Sequence, residues 1–138
     1  QVVDVASCGV GLDEGMLNFI YELKTGALIE SSMMIGALLA GAEDAELEKV
    51  QKIASDVGIA FQIQDDILDV TSTTEELGKP VHSDEKNEKT TYVTLKGLEK
   101  ATRDVEVISQ EALELLSGLD RENAYLTQLI RELIHRKK

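Results

Sequence analysis

The stretch from Glu43 to Val70 constrains the fold more than any other part of the chain. It contains no proline, and its apolar residues keep helical spacing, at Leu47, Val50, Ala54, Val57, Phe61 and Leu68. This pattern predicts one long helix. The chain has one proline, Pro80, and little of the alternation between apolar and polar residues that is typical of strands. We therefore predict an all-α helical bundle around this long central helix.

Glycines and polar clusters mark the ends of the other predicted helices. We expect a helix from Asp13 to about Leu23, a break at residues 24–26, and a second helix that ends near Gly41. Two amphipathic helices are predicted at about residues 98–116 and 121–135. The polar segment 71–91 is predicted to be a loop with one helical turn at most, because its threonines, serines, glycine and proline all disfavour a helix.

Composition excludes several classes of function. The chain has 14 Lys and Arg residues against 26 Asp and Glu residues, a net charge of −12, which disfavours a nucleic-acid binder because phosphates need a basic surface. The longest apolar run, residues 33–42, is much shorter than the roughly 18 residues of a membrane-spanning helix. Cys8 is the sole cysteine and cannot form an intrachain disulfide, which fits a cytoplasmic location. We expect neither nucleic acid nor a membrane span.

The length of 138 residues suits one domain with a real core. The sequence starts at Gln1, without an initiator methionine, a basic leader or a cleavage-site pattern. We therefore expect a fragment of a longer protein.

An acidic stripe lies in the second half of the predicted long helix, within FQIQDDILDV. Four polar residues share one arc of the helix at about 100° per residue: Gln62, Asp65, Asp66 and Asp69. Like charges this close, among apolar neighbours, repel unless a cation lies between them. Carboxylates without nearby histidine or cysteine suit a hard ion, and Mg²⁺ fits best. The alternative is a solvated carboxylate face at a helix end.

Two lysines at predicted breaks favour the metal interpretation. Lys24 lies in the sequence KTG and Lys79 in LGKP, where a flexible ammonium group can reach a phosphate. A helix that starts after Thr25 would also offer free backbone N–H groups to an anion. Each lysine alone suits an ordinary surface position, but acids that hold magnesium opposite lysines predict a site for a diphosphate.

The chain resembles the trans-type polyprenyl diphosphate synthases over nearly its whole length, and most closely the bacterial farnesyl diphosphate synthases. The resemblance rests on QVVD at residues 1–4, which is similar to the end of a GQxxD element, and on four longer segments in order: KTGALIE, IGALLAGA, GIAFQIQDDILDV and LGKPVHSDEKNEKTTYVTL. FQIQDDILD followed by GKP and NxKTTY is highly specific and resembles the family's second aspartate-rich motif.

The resemblance implies a role for each matching residue. Asp65 binds Mg²⁺ directly, while Asp66 and Asp69 act mainly through waters and hydrogen bonds. Lys24, Lys79 and Lys89 hold the allylic diphosphate, and the oxygens of Thr25 and Gln62 face the developing allylic cation. The implied reaction is ionisation of an allylic diphosphate (dimethylallyl or geranyl), attack by isopentenyl diphosphate and loss of a proton, which gives a short-chain product such as farnesyl diphosphate.

The sequence also departs from the family pattern. The family's first aspartate-rich motif and the arginines that bind the second diphosphate have no counterpart here. Residues 1–138 therefore resemble the C-terminal portion of one synthase domain, inactive alone, from a family of homodimers, and we expect self-association. The alternative is a non-catalytic helical subunit or interaction domain with the same fold, against which the intact KT, QxxDDxxD and GK positions speak.

Overall fold

The computed structural model describes residues 1–72, 89–121 and 123–136. Within these ranges the ordered elements are helices and no strand occurs, so the all-α prediction is confirmed. The α-helices are α1 Val2–Ala6, α2 Glu14–Tyr21, α3 Ala27–Leu39, α4 Asp44–Thr71, α5 Tyr92–Lys96, α6 Leu98–Ser117 and α7 Ala124–Ile134. A π-helical turn, Glu22–Gly26, joins α2 to α3.

Helix α4 is the centre of the fold, as the apolar spacing predicts. It begins with a capping box in which Glu43 and Glu46 satisfy each other's backbone N–H groups. Its side chains are buried on several sides, and those of Ile53, Ala54 and Ile63 are fully buried. The predicted bounds, Glu43 to Val70, differ from the observed ones by one residue at each end. A helix enclosed in this way holds its polar residues inside the protein, where they need partners.

Helices α6 and α7 cover one side of α4. Helix α6 buries a narrow stripe against this core, and most of its other side chains are exposed. The buried stripe consists of Ala101, Val105, Ser109, Ala112 and Leu116. Helix α7 buries Ile130 and Ile134 against the same core and starts at Asn123, whose side chain accepts a hydrogen bond from the Leu126 N–H at 2.9 Å. The predicted start at residue 121 is therefore three residues before the first helical residue, Ala124.

The predicted break at residues 24–26 is wrong. The N–H of Ala27 bonds to the carbonyl of Glu22, so the chain widens into a π-turn and continues as helix. Helix α2 also ends at Tyr21, earlier than the predicted Leu23. Helix α3 continues directly from the π-turn, so there is no free helix N-terminus after Thr25 to bind an anion. The predicted stop at Gly41 is confirmed, because Gly41 has a φ of 80° just after α3.

Gly26 is buried because the π-turn packs directly against α4 at this residue. A Cβ atom on Gly58 would lie 2.8 Å from the Cα atom of Gly26, which is closer than real side chains approach. The two glycines therefore allow the backbones of the π-turn and α4 to touch. This contact fixes the position of the KTG sequence along the axis of the central helix.

We expect Gly58→Ala to lower the free energy of unfolding by about 1–3 kcal/mol, because the added methyl group meets backbone that cannot rotate away. Gly36→Ala is the matched control, since a Cβ there has nothing within 4 Å. It is expected to stabilise α3 by up to about 1 kcal/mol, because alanine favours a helix over glycine. Urea unfolding of both variants checks this, and equal effects would contradict the close contact.

The polar segment after α4 is described only at its two ends. Helix α4 continues to Thr71, and most of the predicted loop, residues 73–88, lies outside the described residues. The chain returns at Lys89 and forms the short helix α5, whose N-cap Thr91 accepts a hydrogen bond from the Thr94 N–H at 3.2 Å. None of the helices in the described ranges is long and apolar enough to cross a membrane.

Candidate active site

The acidic stripe of α4 is partly enclosed. Asp66 and Asp69 are buried, at 8% and 2% exposure, and Gln62 is buried as well. Asp65 differs, because 42% of its side chain remains exposed. Of the three carboxylates, Asp65 is therefore the one most open to an ion or substrate from solvent.

Arg136 approaches Asp65 from the end of the chain. Its guanidinium donates a hydrogen bond from Nη2 to Asp65 Oδ1 at 3.1 Å, and its carbon Cζ lies 3.7 Å from the centre of the Phe61 ring. Burial lowers the pKa of Arg136, while Asp65 opposes that shift, and the group stays charged. The guanidinium of Arg136 thus partly offsets the charge of Asp65, the most exposed aspartate of the acidic stripe.

Asp66 is held by hydrogen bonds inside the protein. The phenol of Tyr21 donates to Asp66 Oδ2, and the backbone N–H of Tyr92 donates to the same oxygen at 2.8 Å. The Tyr92 N–H also lies 3.1 Å from the Tyr21 phenol oxygen. Asp66 therefore joins α2, α4 and the start of α5.

Lys24 and Lys89 meet at one carboxylate. Asp4 Oδ2 accepts hydrogen bonds from Lys24 Nζ at 2.9 Å and from Lys89 Nζ at 3.3 Å. The side chain of Asp4 is 15% exposed, so this three-residue cluster is partly shielded from water. Two of the three lysines predicted to bind diphosphate thus converge on a single anionic oxygen. Lys79 lies outside the described residues, and its part in the site stays a prediction.

The contacts on either side of Lys24 fix its position along α4. Tyr21 reaches Asp66, and Gly26 touches Gly58, so the segment 21–26 runs antiparallel to residues 58–66. Lys24 and Thr25 therefore lie beside the part of α4 between Gly58 and Asp66, close to the level of Gln62. At about 1.5 Å per residue, Asp65 is roughly 10 Å along the axis from Gly58. The charged partner found for Lys24 is Asp4, not Asp65.

The Asp4 cluster is expected to depend on pH. Burial opposes ionisation of Asp4, but the hydrogen bonds and charges of Lys24 and Lys89 outweigh it and lower its pKa below the ordinary 3.8. A lowered folded pKa means that the cluster stabilises the fold above about pH 4 and that this contribution is lost as the pH falls through the folded pKa.

We therefore expect Asp4→Asn to reduce the free energy of unfolding by about 1 kcal/mol at pH 7, and the difference from wild type to shrink below pH 4. Urea unfolding of both proteins at a series of pH values measures this. Glu99→Gln, which removes an exposed pair with Arg103, is the control and should change stability by less than about 0.5 kcal/mol. A constant difference at all pH values would contradict the assignment.

Three residues of the site were not predicted as functional from the sequence. Asp4 belongs to the QVVD segment, but its pairing with lysines far along the chain leaves no local signal. Tyr21 precedes Lys24 by three residues, the spacing of one helical turn, which could have drawn attention to it. Arg136 follows the last helix and carries no pattern at all.

The donor chemistry of the stripe fits Mg²⁺. Within the described ranges, no three His, Cys, Asp or Glu side chains lie close enough together to hold a metal ion by themselves. Mg²⁺ does not need such a cage, because it binds through one or two carboxylates and completes its shell with water and substrate phosphate. The half-exposed Asp65 offers one such carboxylate.

Comparison with known proteins places the chain in a family. A family model described as polyprenyl synthetase matches residues 1–132. A chloroplastic geranylgeranyl pyrophosphate synthase of Catharanthus roseus is 44% identical over 126 residues, which cover 90% of this chain and 35% of that protein. A geranylgeranyl diphosphate synthase of Cyanophora paradoxa is 38% identical over 138 residues and is covered to 46%.

Solved structures agree in fold. A geranyltransferase from Helicobacter pylori, complexed with magnesium and isoprenyl diphosphate, matches 97% of this chain and 44% of its own with a TM-score of 0.79 at 32% identity. A heptaprenyl diphosphate synthase from Staphylococcus aureus, covered to 55%, matches 99% of this chain with a TM-score of 0.89 at 22% identity, a likeness of fold alone.

The fold is therefore that of the all-α isoprenyl diphosphate synthases. The chain belongs to the polyprenyl synthetase family, whose model covers almost all of it. It spans 35% and 46% of the length of these two curated relatives.

Proposed function

We propose that this chain forms the part of a trans-prenyltransferase that holds and activates the allylic diphosphate. The observation that carries the proposal is the convergence of Lys24 and Lys89 on one oxygen of Asp4, beside the acid-bearing helix α4. Two ammonium groups that already share one anionic oxygen are spaced to share a phosphate oxygen. Membership of the polyprenyl synthetase family supports the same ligand chemistry.

Asp65 would bind Mg²⁺ directly, and Asp69, one helical turn along the same side of α4, would act through water and hydrogen bonds. Asp66 would act through its hydrogen bonds to Tyr21 and Tyr92. A bound Mg²⁺ supplies positive charge to the diphosphate oxygens as the C–O bond breaks. Arg136 donates a hydrogen bond to Asp65 Oδ1 at 3.1 Å, so it would compete with a cation for that oxygen.

Lys24, Lys79 and Lys89 would stabilise the leaving diphosphate. Their charges act on oxygens whose negative charge grows only in the transition state, so they contribute to the rate more than to binding. The hydroxyl of Thr25 and the amide oxygen of Gln62 would face the allylic cation at the level of α4 where the π-turn sits. The double bond of isopentenyl diphosphate then attacks the cation, and a proton is lost, so no side-chain nucleophile is needed.

The product is a short-chain prenyl diphosphate. The sequence resemblance favours farnesyl diphosphate, whereas several curated relatives are named geranylgeranyl synthases, which favours a longer product. We propose a homodimer in the cytoplasm, as the sequence suggests. Chloroplastic relatives make an organelle the alternative location. Mass spectrometry of the product distinguishes farnesyl from geranylgeranyl diphosphate, and the shorter product, farnesyl diphosphate, would support the farnesyl assignment.

The test combines this chain with the complementary half of a synthase. The chain carries one DDxxD motif and spans less than half of its curated relatives, so we expect no turnover from it alone. Mixed with a separately produced N-terminal half, it should convert isopentenyl diphosphate and geranyl or dimethylallyl diphosphate to a longer product, detected by mass. If this chain alone formed product, the proposal that the active site needs both halves would be refuted. If neither the mixture nor the complete synthase formed product, the non-catalytic subunit would be favoured.

A further inference from the structure

Three segments of the chain meet at one buried oxygen, Asp66 Oδ2. The Tyr21 phenol donates to it from the end of α2, and the Tyr92 N–H donates to it from the start of α5. Tyr21, Asp66 and Tyr92 are 5%, 8% and 8% exposed. We call these three residues the tyrosine junction. Hydrogen bonds shielded from water in this way are stronger and better defined than those at the surface.

Each tyrosine of the junction lies three residues in sequence from one lysine of the Asp4 cluster. Lys24 follows Tyr21 by three residues, and Lys89 precedes Tyr92 by three residues. Both lysines then reach Asp4 Oδ2. The junction therefore ties together the two backbone segments that carry the lysines, although those segments are far apart in sequence.

We propose that Tyr21 is a positioning residue, whose phenol sets the spacing of Lys24 and Lys89 through Asp66 and the Tyr92 N–H. The proposal rests on the proposed function, in which these lysines hold the allylic diphosphate. Tyr21 does not touch the substrate. It acts by fixing where the π-turn and the start of α5 stand relative to the acidic stripe of α4.

The hydroxyl group is the part of Tyr21 that this role requires. It donates to Asp66 and lies within 3.1 Å of the Tyr92 N–H, so it completes a closed set of contacts among the three segments. Phenylalanine would keep the ring packed in the core beside Leu17 and Ile20. It would leave Asp66 with one donor fewer in a place that water reaches poorly.

The first test measures Tyr21→Phe in the complete synthase, with Tyr125→Phe as the matched control. Tyr125 is 77% exposed, so its loss of a hydroxyl changes neither the core nor the junction. We expect Tyr21→Phe to lower kcat/KM for the allylic diphosphate roughly tenfold, as the loss of one hydrogen bond to a charged group would. The KM for isopentenyl diphosphate should not change. A rate equal to that of Tyr125→Phe would overturn the proposal.

The second measurement does not depend on activity. Amide hydrogen exchange of the same proteins reports the Tyr92 N–H directly, and Tyr21→Phe should reduce its protection roughly tenfold while Tyr125→Phe leaves it unchanged. Unchanged protection would overturn the tyrosine junction whatever the rate. Reduced protection with an unchanged rate would make the junction structural only and overturn the positioning role. A wild-type synthase without turnover would instead refute the proposed function, and the exchange result would still test the junction.

Discussion

Asp65→Ala in the complete synthase is expected to lower kcat at least about a hundredfold and to raise the Mg²⁺ concentration needed for half-maximal rate. Asp65 is the most exposed carboxylate of the stripe and the one the proposed function gives to the metal. Its loss misplaces an ion that acts on the leaving group in the transition state. Steady-state rates across a magnesium titration, with product identified by mass, measure both effects.

Arg136→Gln is the control that separates the metal from the ion pair. It breaks the contact between Arg136 and Asp65 but keeps the carboxylate. Because it removes a positive competitor from Asp65, we expect it to lower the Mg²⁺ requirement, opposite to Asp65→Ala. If both variants lost rate equally, the ion pair and not the metal would explain Asp65. An Asp65→Ala enzyme with normal rates would contradict the magnesium assignment itself.

Lys24→Ala is expected to have an effect of similar size, a loss of about a hundredfold in kcat/KM for the allylic diphosphate. Removing one charged donor from a developing negative charge costs roughly that much in other enzymes. Lys24→Ala also leaves Asp4 with Lys89 as its lysine partner, so some loss of stability is expected. The rate should therefore be measured well below the unfolding temperature of each variant.

Two variants control for charge and for the Asp4 cluster. Lys49→Ala removes an exposed lysine of α4, far from the acidic stripe, and should leave the rate unchanged within about threefold. Asp4→Asn loosens the cluster while both lysines stay, so it should cost less rate than Lys24→Ala. A Lys24→Ala enzyme as active as Lys49→Ala would remove Lys24 from the diphosphate site.

The central helix could be predicted closely because its pattern is long and uninterrupted. Twenty or more residues of helical spacing outweigh any local ambiguity at the ends. Helices α1 and α5 were missed because five residues give no periodic signal. The break at KTG was predicted because glycine usually ends a helix, whereas here Gly26 provides a close approach to Gly58.

The residue types of the candidate site could be predicted from the sequence, but the contacts between those residues could not. The residue types of the stripe and the lysines follow from their local context. Lys89 contacts Asp4, and Arg136 contacts Asp65. These contacts depend on how distant segments pack, and no spacing in the sequence indicates them. The partners of Asp66 were hidden for the same reason, since one of them is a backbone N–H that any residue could supply.

The π-turn at Glu22–Gly26 gives this region an unusual relation to insertion and deletion. A π-turn is an α-helix with one residue added, and the helices on both sides keep their own packing. Deleting one residue from the π-turn would close it into regular α-helix, while α2 and α3 keep their registers on either side. Deleting one residue from the regular helix α4 would instead rotate the two parts of that helix against each other by about 100°. A single-codon deletion should therefore be far less damaging in the π-turn than in α4.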